Sequence, residues 1–181
     1  MTVQDTIGAL AGLDTAASER IRGHRPGVTE AAESSLHALF DVGPDDEAPG
    51  LARATRLLAA ARAAHLDGAP GLAEFYAEQL GEEEPVASGP AAFDAAGARD
   101  LVRIGADSEA GRAAQRSIRA LLRHVDLLVQ RPAAATADDL DSLAAAGWGV
   151  VEIVVLSQVV SFTTYQTRVI AGLRVLEEVG A

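Results

Sequence analysis

Cysteine is absent from this chain, and all 15 of its basic residues other than histidine are arginine. Without cysteine there is no disulfide, no thiolate metal site and no thiol nucleophile. Without lysine there is no Schiff-base amine and no phosphate-loop lysine. Aromatic residues make up only 4% of the sequence, and β-branched residues crowd into the last third, which argues against a sheet-dominated fold. Positive charge is scarce as well: 26 acids leave a formal net charge of -11, a total that repels a phosphate backbone. No basic stripe with interleaved aromatics offsets it, so no nucleic-acid partner is expected. Long apolar runs are missing too. The densest, Val150 to Val160, is interrupted by Glu152, Ser157 and Gln158 and is about half the length a membrane span needs. The opening residues show no basic start followed by an apolar core. The expectation is a cytoplasmic protein with no membrane association.

What the chain has in abundance is alanine, 38 of 181 residues. Alanine loses no side-chain entropy in a helix, so an all-α fold is expected. The length suits one domain with a real core, here of about seven to nine helices. Residues 1–30 form a helical arm, with helices over Val3 to Leu13 (capped by Asp5 or Thr2) and Thr15 to Arg22. Thr29 to Phe40 follows, with Glu30 and Glu33 suited to a helix start. Leu51 to Leu66 carries apolar residues at helical spacing and turns Arg53, Arg56 and Arg62 outward. Asp67 to Gly71 breaks it, and another helix runs from Gly71 or Leu72 to Leu80. Residues 81–100 read as an irregular connector, with Glu82, Glu83 and Glu84 as a solvated loop. Asp107 or Ser108 caps a long helix to Gln130 that ends at Pro132. Thr136 and Asp139 open a short helix to Ala146, closed by Gly147. Val150 to Leu176 lacks any internal breaker before Gly172, so it reads as one long helix, central or at a subunit interface.

Two segments carry a resemblance. The first is Ala64-His65-Leu66-Asp67-Gly68-Ala69-Pro70-Gly71-Leu72-Ala73-Glu74-Phe75-Tyr76. The second runs from His124 to Leu176, with Arg131-Pro132, Thr136-x-x-Asp139-Leu140, Ala146-Gly147-Trp148, Glu152-Ile153 and Phe162-x-x-Tyr165-Gln166-x-Arg168-Val169-x-Ala171-Gly172-Leu173. Together they resemble the carboxymuconolactone decarboxylase / alkylhydroperoxidase D (AhpD)-like superfamily, and its peroxidase-related members in particular. The redox-active members of that family place Asn-Gly-Cys-x-x-Cys-x-x-x-His between two helices. Carried over position by position, the two cysteines fall on Ala69 and Leu72, and the relay histidine on Tyr76. The upstream glutamate falls near Leu57. A dithiol at a helix N-terminus is a nucleophile because the dipole lowers thiol pKa; alanine and leucine carry no such chemistry. Thiol peroxidase activity of this polypeptide alone is therefore excluded.

What the resemblance does imply is the helical scaffold and a homo-oligomer: trimer, hexamer or dimer. It also implies partnership with a cysteine-bearing AhpD-like relative. The alternative is a decarboxylase-like enzyme doing acid/base chemistry on a small organic acid, with His65, Tyr76 and Arg168 lining one pocket. His24, His37, His65 and His124 lack metal-ligand spacing, so no metal is expected, and nothing suggests a cofactor. Arg168, in an apolar run, is expected to be partly buried and paired. Trp148 is expected to pack against the preceding turn.

Overall fold

The computed structural model describes residues 5–41, 51–82 and 109–180. Among these residues there are eight α-helices, one short 3₁₀ turn and no strand. The helices are α1 (Thr6–Ala11), α2 (Thr15–Arg22), α3 (Pro26–Phe40), α4 (Arg53–Leu66), α5 (Pro70–Glu82), α6 (Glu109–Gln130), α7 (Ala137–Ala145) and α8 (Val150–Glu178), with the 3₁₀ turn at Pro132–Ala134 between α6 and α7. The all-helical expectation holds. Asp107 and Ser108, expected to cap α6, and all but Gly81 and Glu82 of the expected 81–100 connector lie outside the described residues. Those two residues finish α5, so Glu82 belongs to a helix rather than to a loop.

The helix starts follow from local chemistry. Asp5 opens α1, its carboxylate accepting from the Gly8 N–H at 2.9 Å, and Thr2 and Val3 lie outside the described residues. Asp14 does the same for α2 through the Ala17 N–H. The third helix begins earlier than Thr29, because Pro26 takes the first helical position, where a missing N–H costs nothing. Glu33 consequently sits inside α3 rather than at its start. It is buried there and serves the dipole of a different helix, accepting from the Thr6 N–H at 2.7 Å and the Thr6 hydroxyl at 3.0 Å. Thr136 and Asp139 close on each other at the head of α7, as expected.

The centre of the domain is α4. Every residue from Leu57 to Ala61 is buried, and Ala63 and Ala64 with them. Small side chains all round let α5, α6 and α8 pack against it. Two of its arginines, expected to face out, turn inward instead. Arg53 donates from Nε to the Phe40 carbonyl at 2.7 Å. Arg56, buried, donates from Nε to the Leu51 carbonyl at 2.6 Å and from Nη1 to the Leu39 carbonyl at 2.8 Å. The last carbonyls of α3 have no intrahelical partner and carry the negative end of its dipole, so guanidinium groups are drawn to them. The third, Arg62, is half-buried and reaches α6 in a two-bond pair with Asp126, at 2.8 and 3.0 Å.

The final helix is a single rod of 29 residues, as expected, but it is not buried all round. Its inner face carries Leu156, Val159, Val160, Thr163, Gln166 and Ile170 into the core. Its outer face is open: Val150 is 80% exposed, and Val151 and Val154 are exposed as well. Arg168 lies on that outer face, exposed and with no ion pair among the described residues, rather than partly buried. Trp148, expected to pack against the preceding turn, donates from Nε1 to the Ser117 carbonyl at 3.0 Å and so ties the entry of α8 to α6.

Candidate functional site

Residues 64–76 do form a bend between two packed helices. The chain leaves α4 at Asp67, passes through Gly68 at a φ of 76°, where glycine is favoured, and enters α5 at Pro70. The positions onto which the resemblance would carry the reactive groups are buried. Ala69, Leu72 and Leu57 are buried, and Tyr76 has 0% exposure. Its ring packs against Phe40 with centroids 4.9 Å apart and edge-on to Phe75 at 5.2 Å. The Tyr76 hydroxyl donates to Gln166 Oε1 at 2.6 Å. Burial raises the phenol pKa well above its ordinary value, more than the Gln166 and Thr163 contacts lower it. Tyr76 thus stays neutral and shielded from water.

The three groups expected to share a pocket are not gathered into one. Tyr76 is sealed in the core, whereas His65 and Arg168 are both exposed on the surface. What holds the bend in place is α8: Thr167 donates from its hydroxyl to Asp67, and Gln166 receives Tyr76. The Nε2 of Gln166 has no partner among the described residues.

A second place in the molecule gathers positive charge. Arg112, Arg116, Arg119 and Arg123 recur along α6 at steps of four, three and four, which puts them on one face of the helix. All four are exposed. Neighbouring like charges at such spacings cost an isolated helix about 0.2–0.5 kcal/mol per pair. Opposite the arginines stands α7. Arg116, Arg119 and Arg123 line a groove of about 570 Å³ whose other walls are Ser142, Ala145, Ala146 and Gly147, with no acid in the lining.

The groove continues past Arg123 into a second chamber of about 500 Å³ reaching His124, Gln130 and Arg131. Its two carboxylates are already engaged: Asp126 by Arg62, and Asp139 by the N–H and hydroxyl of Thr136. Those Thr136 bonds hold the Asp139 carboxyl below its usual range. His124 is only 5% exposed, its Nδ1 has no partner among the described residues, and burial pushes its pKa down. The groove is not legible as a motif, because its basic residues are not interleaved with aromatics. The heptad-like arginine spacing was the available signal.

Among the described residues no three of histidine, aspartate and glutamate gather as a metal-binding group, and no helix is long and apolar enough to cross a membrane. No family model matches the chain, and neither curated proteins nor solved structures yield a match.

Proposed function

We propose that this chain is a non-enzymatic helical subunit that assembles with a second copy of itself through the outer face of α8. The observation that carries this reading is the pattern of exposed residues on that helix. Val151, Val154, Gln158, Ser161 and Tyr165 follow one another at steps of three and four, and the line continues through Arg168, Gly172, Val175 and Val179. All of them are exposed, Val179 to 70%. Arg168 is the one charge in the line, on a chain whose net charge is -11. An outward helix face normally carries charge, and an apolar, nearly uncharged one calls for a partner.

The spacing averages 3.5 residues, the repeat that keeps two helices in contact along a seam. It is also close to symmetric about Tyr165. Moving outward from that residue, Ser161 answers Arg168, Gln158 answers Gly172, Val154 answers Val175 and Val151 answers Val179. An antiparallel pair therefore sets valine on valine at both ends of a seam about 42 Å long. It sets Arg168 opposite Ser161. A parallel pair would set Arg168 against its own copy, and that repulsion favours the antiparallel arrangement. A two-fold interface of this kind is self-complementary.

This reading keeps the AhpD-like resemblance as a proposed ancestry of the scaffold and leaves out the dithiol chemistry. A cysteine-bearing relative is the proposed physiological companion, and the cytoplasm the proposed compartment. The absence of thiols makes the decisive experiment clean. Val151→Cys and Val179→Cys chains, mixed and oxidised, should cross-link to each other and not to themselves. Sedimentation equilibrium should give a dimer that Val154→Glu converts to monomer. A wild-type chain that stays monomeric at high micromolar concentration would overturn the proposal.

A further inference from the structure

The groove between α6 and α7 is independent of the α8 seam, and its chemistry points to a ligand. We infer that it binds a small polyanion, a molecule carrying two or more phosphoryl or carboxylate groups. Three observations converge on this. First, Arg116, Arg119 and Arg123 are adjacent like charges on one helix face, with no ion pair among the described residues, in a chain that has 26 acids available to neutralise them. Such a row is held at an energetic disadvantage until an anion lies along it.

Second, the facing wall is built for close approach. Ala145, Ala146 and Gly147 present little more than backbone and methyl groups, so an anion can reach the guanidinium forks without being held off by bulk. Arginine presents planar paired donors that match carboxylate and phosphate oxygens. From Arg116 to Arg123 the helix rises about 10 Å, a span for several oxyanion groups rather than one. Third, the chamber beyond Arg123 adds further donors: the exposed Arg131 and Gln130 line it, while its carboxylates Asp126 and Asp139 are taken by Arg62 and Thr136. The two chambers share Ala120, Arg123 and Ser142, so one ligand can lie across both. Each chamber is the size of a small-molecule site rather than of a macromolecular interface. The arginine row also lacks the aromatic side chains on which nucleic-acid bases would stack.

Calorimetric titration of the 181-residue chain with inorganic triphosphate and with citrate tests this directly, with Trp148, the chain's one tryptophan, as a second readout beside Gly147. Saturable binding of one or both is expected, and the tighter of the two identifies the headgroup as phosphoryl or carboxylate. Arg119→Gln and Arg123→Gln should each weaken it by about tenfold or more. Arg25→Gln, which removes the same charge from an exposed position before α3, should leave it within about twofold. Circular dichroism melts establish that each variant is folded. Absence of saturable binding at millimolar probe would overturn the inference. So would equal loss in Arg25→Gln, which reduces the effect to net charge, and so would an oligonucleotide that binds more tightly than triphosphate.

Discussion

The Tyr76 hydroxyl and the Gln166 side-chain carbonyl, ninety residues apart in sequence, meet at 2.6 Å in the interior, and this bond joins the α4–α5 bend to the last helix. It is a structural link between two helices. Both partners are fully buried, so neither can exchange the other for water. Tyr76→Phe removes the donor and leaves the whole Gln166 amide unpartnered. A buried polar group stranded in this way costs about 1–3 kcal/mol. Urea unfolding should show that loss for the single variant, and a smaller one for Tyr76→Phe combined with Gln166→Leu, where no polar atom is stranded.

Arg56 is the analogous link at the other end of α4. Its guanidinium spans the Leu51 and Leu39 carbonyls, and both bonds are charge-assisted. Arg56→Ala should cost about 3 kcal/mol or more, read from the urea midpoint. Arg56→Lys should recover little of it. A single ammonium lacks the planar fork that reaches two carbonyls at once.

Two histidines set opposite pH dependences. Burial lowers the pKa of His124, so below the ordinary imidazole value of about 6.5 the unfolded chain takes up a proton that the folded chain resists. Stability from this group is full above that value and is lost as pH falls toward the depressed folded pKa. His37, exposed and hydrogen-bonded to Asp41, has its pKa raised chiefly by that bond. Its contribution is full below about 6.5 and is lost as pH rises through the raised folded pKa. Urea midpoints between pH 5 and 8 should therefore fall more gently on acidification in His124→Gln than in wild type. They should fall more steeply in His37→Gln.

Introducing thiols at the α4–α5 bend should not create a peroxidase. In an Ala69→Cys/Leu72→Cys chain the second sulfur occupies a buried apolar position, which disfavours the thiolate. Tyr76 offers no base and Leu57 no carboxylate. Peroxide consumption with a dithiol reductant is expected to remain at background. Turnover above that level would show that the bend supports the chemistry after all.

How much of this was legible beforehand differs from element to element. The long α8 was readable because no glycine or proline breaks its 3.6-residue pattern before Gly172, and its valines are strand-like by propensity alone. The bend at Gly68 was readable because glycine and proline flank it. The start of α3 was misplaced because Glu30 and Glu33 looked like dipole partners of their own helix, when Glu33 is spent on Thr6, 27 residues away. Arg53 and Arg56 were assigned to solvent because charge normally lies there. The α3 carboxy terminus, the Leu51 carbonyl and Gln79 together make an inward guanidinium favourable.

By itself, then, the chain's composition settles the helical class and removes thiol chemistry, because alanine content and missing sulfur act residue by residue and need no neighbour. Whether a polar side chain is sealed, spent or available is a property of what stands opposite it. Tyr76 is closed off by Gln166, Asp126 is taken by Arg62, and Arg116, Arg119 and Arg123 are left open because Ala145, Ala146 and Gly147 stand opposite them. Those facts depend on distances across the fold, and only the packed tertiary structure could decide them.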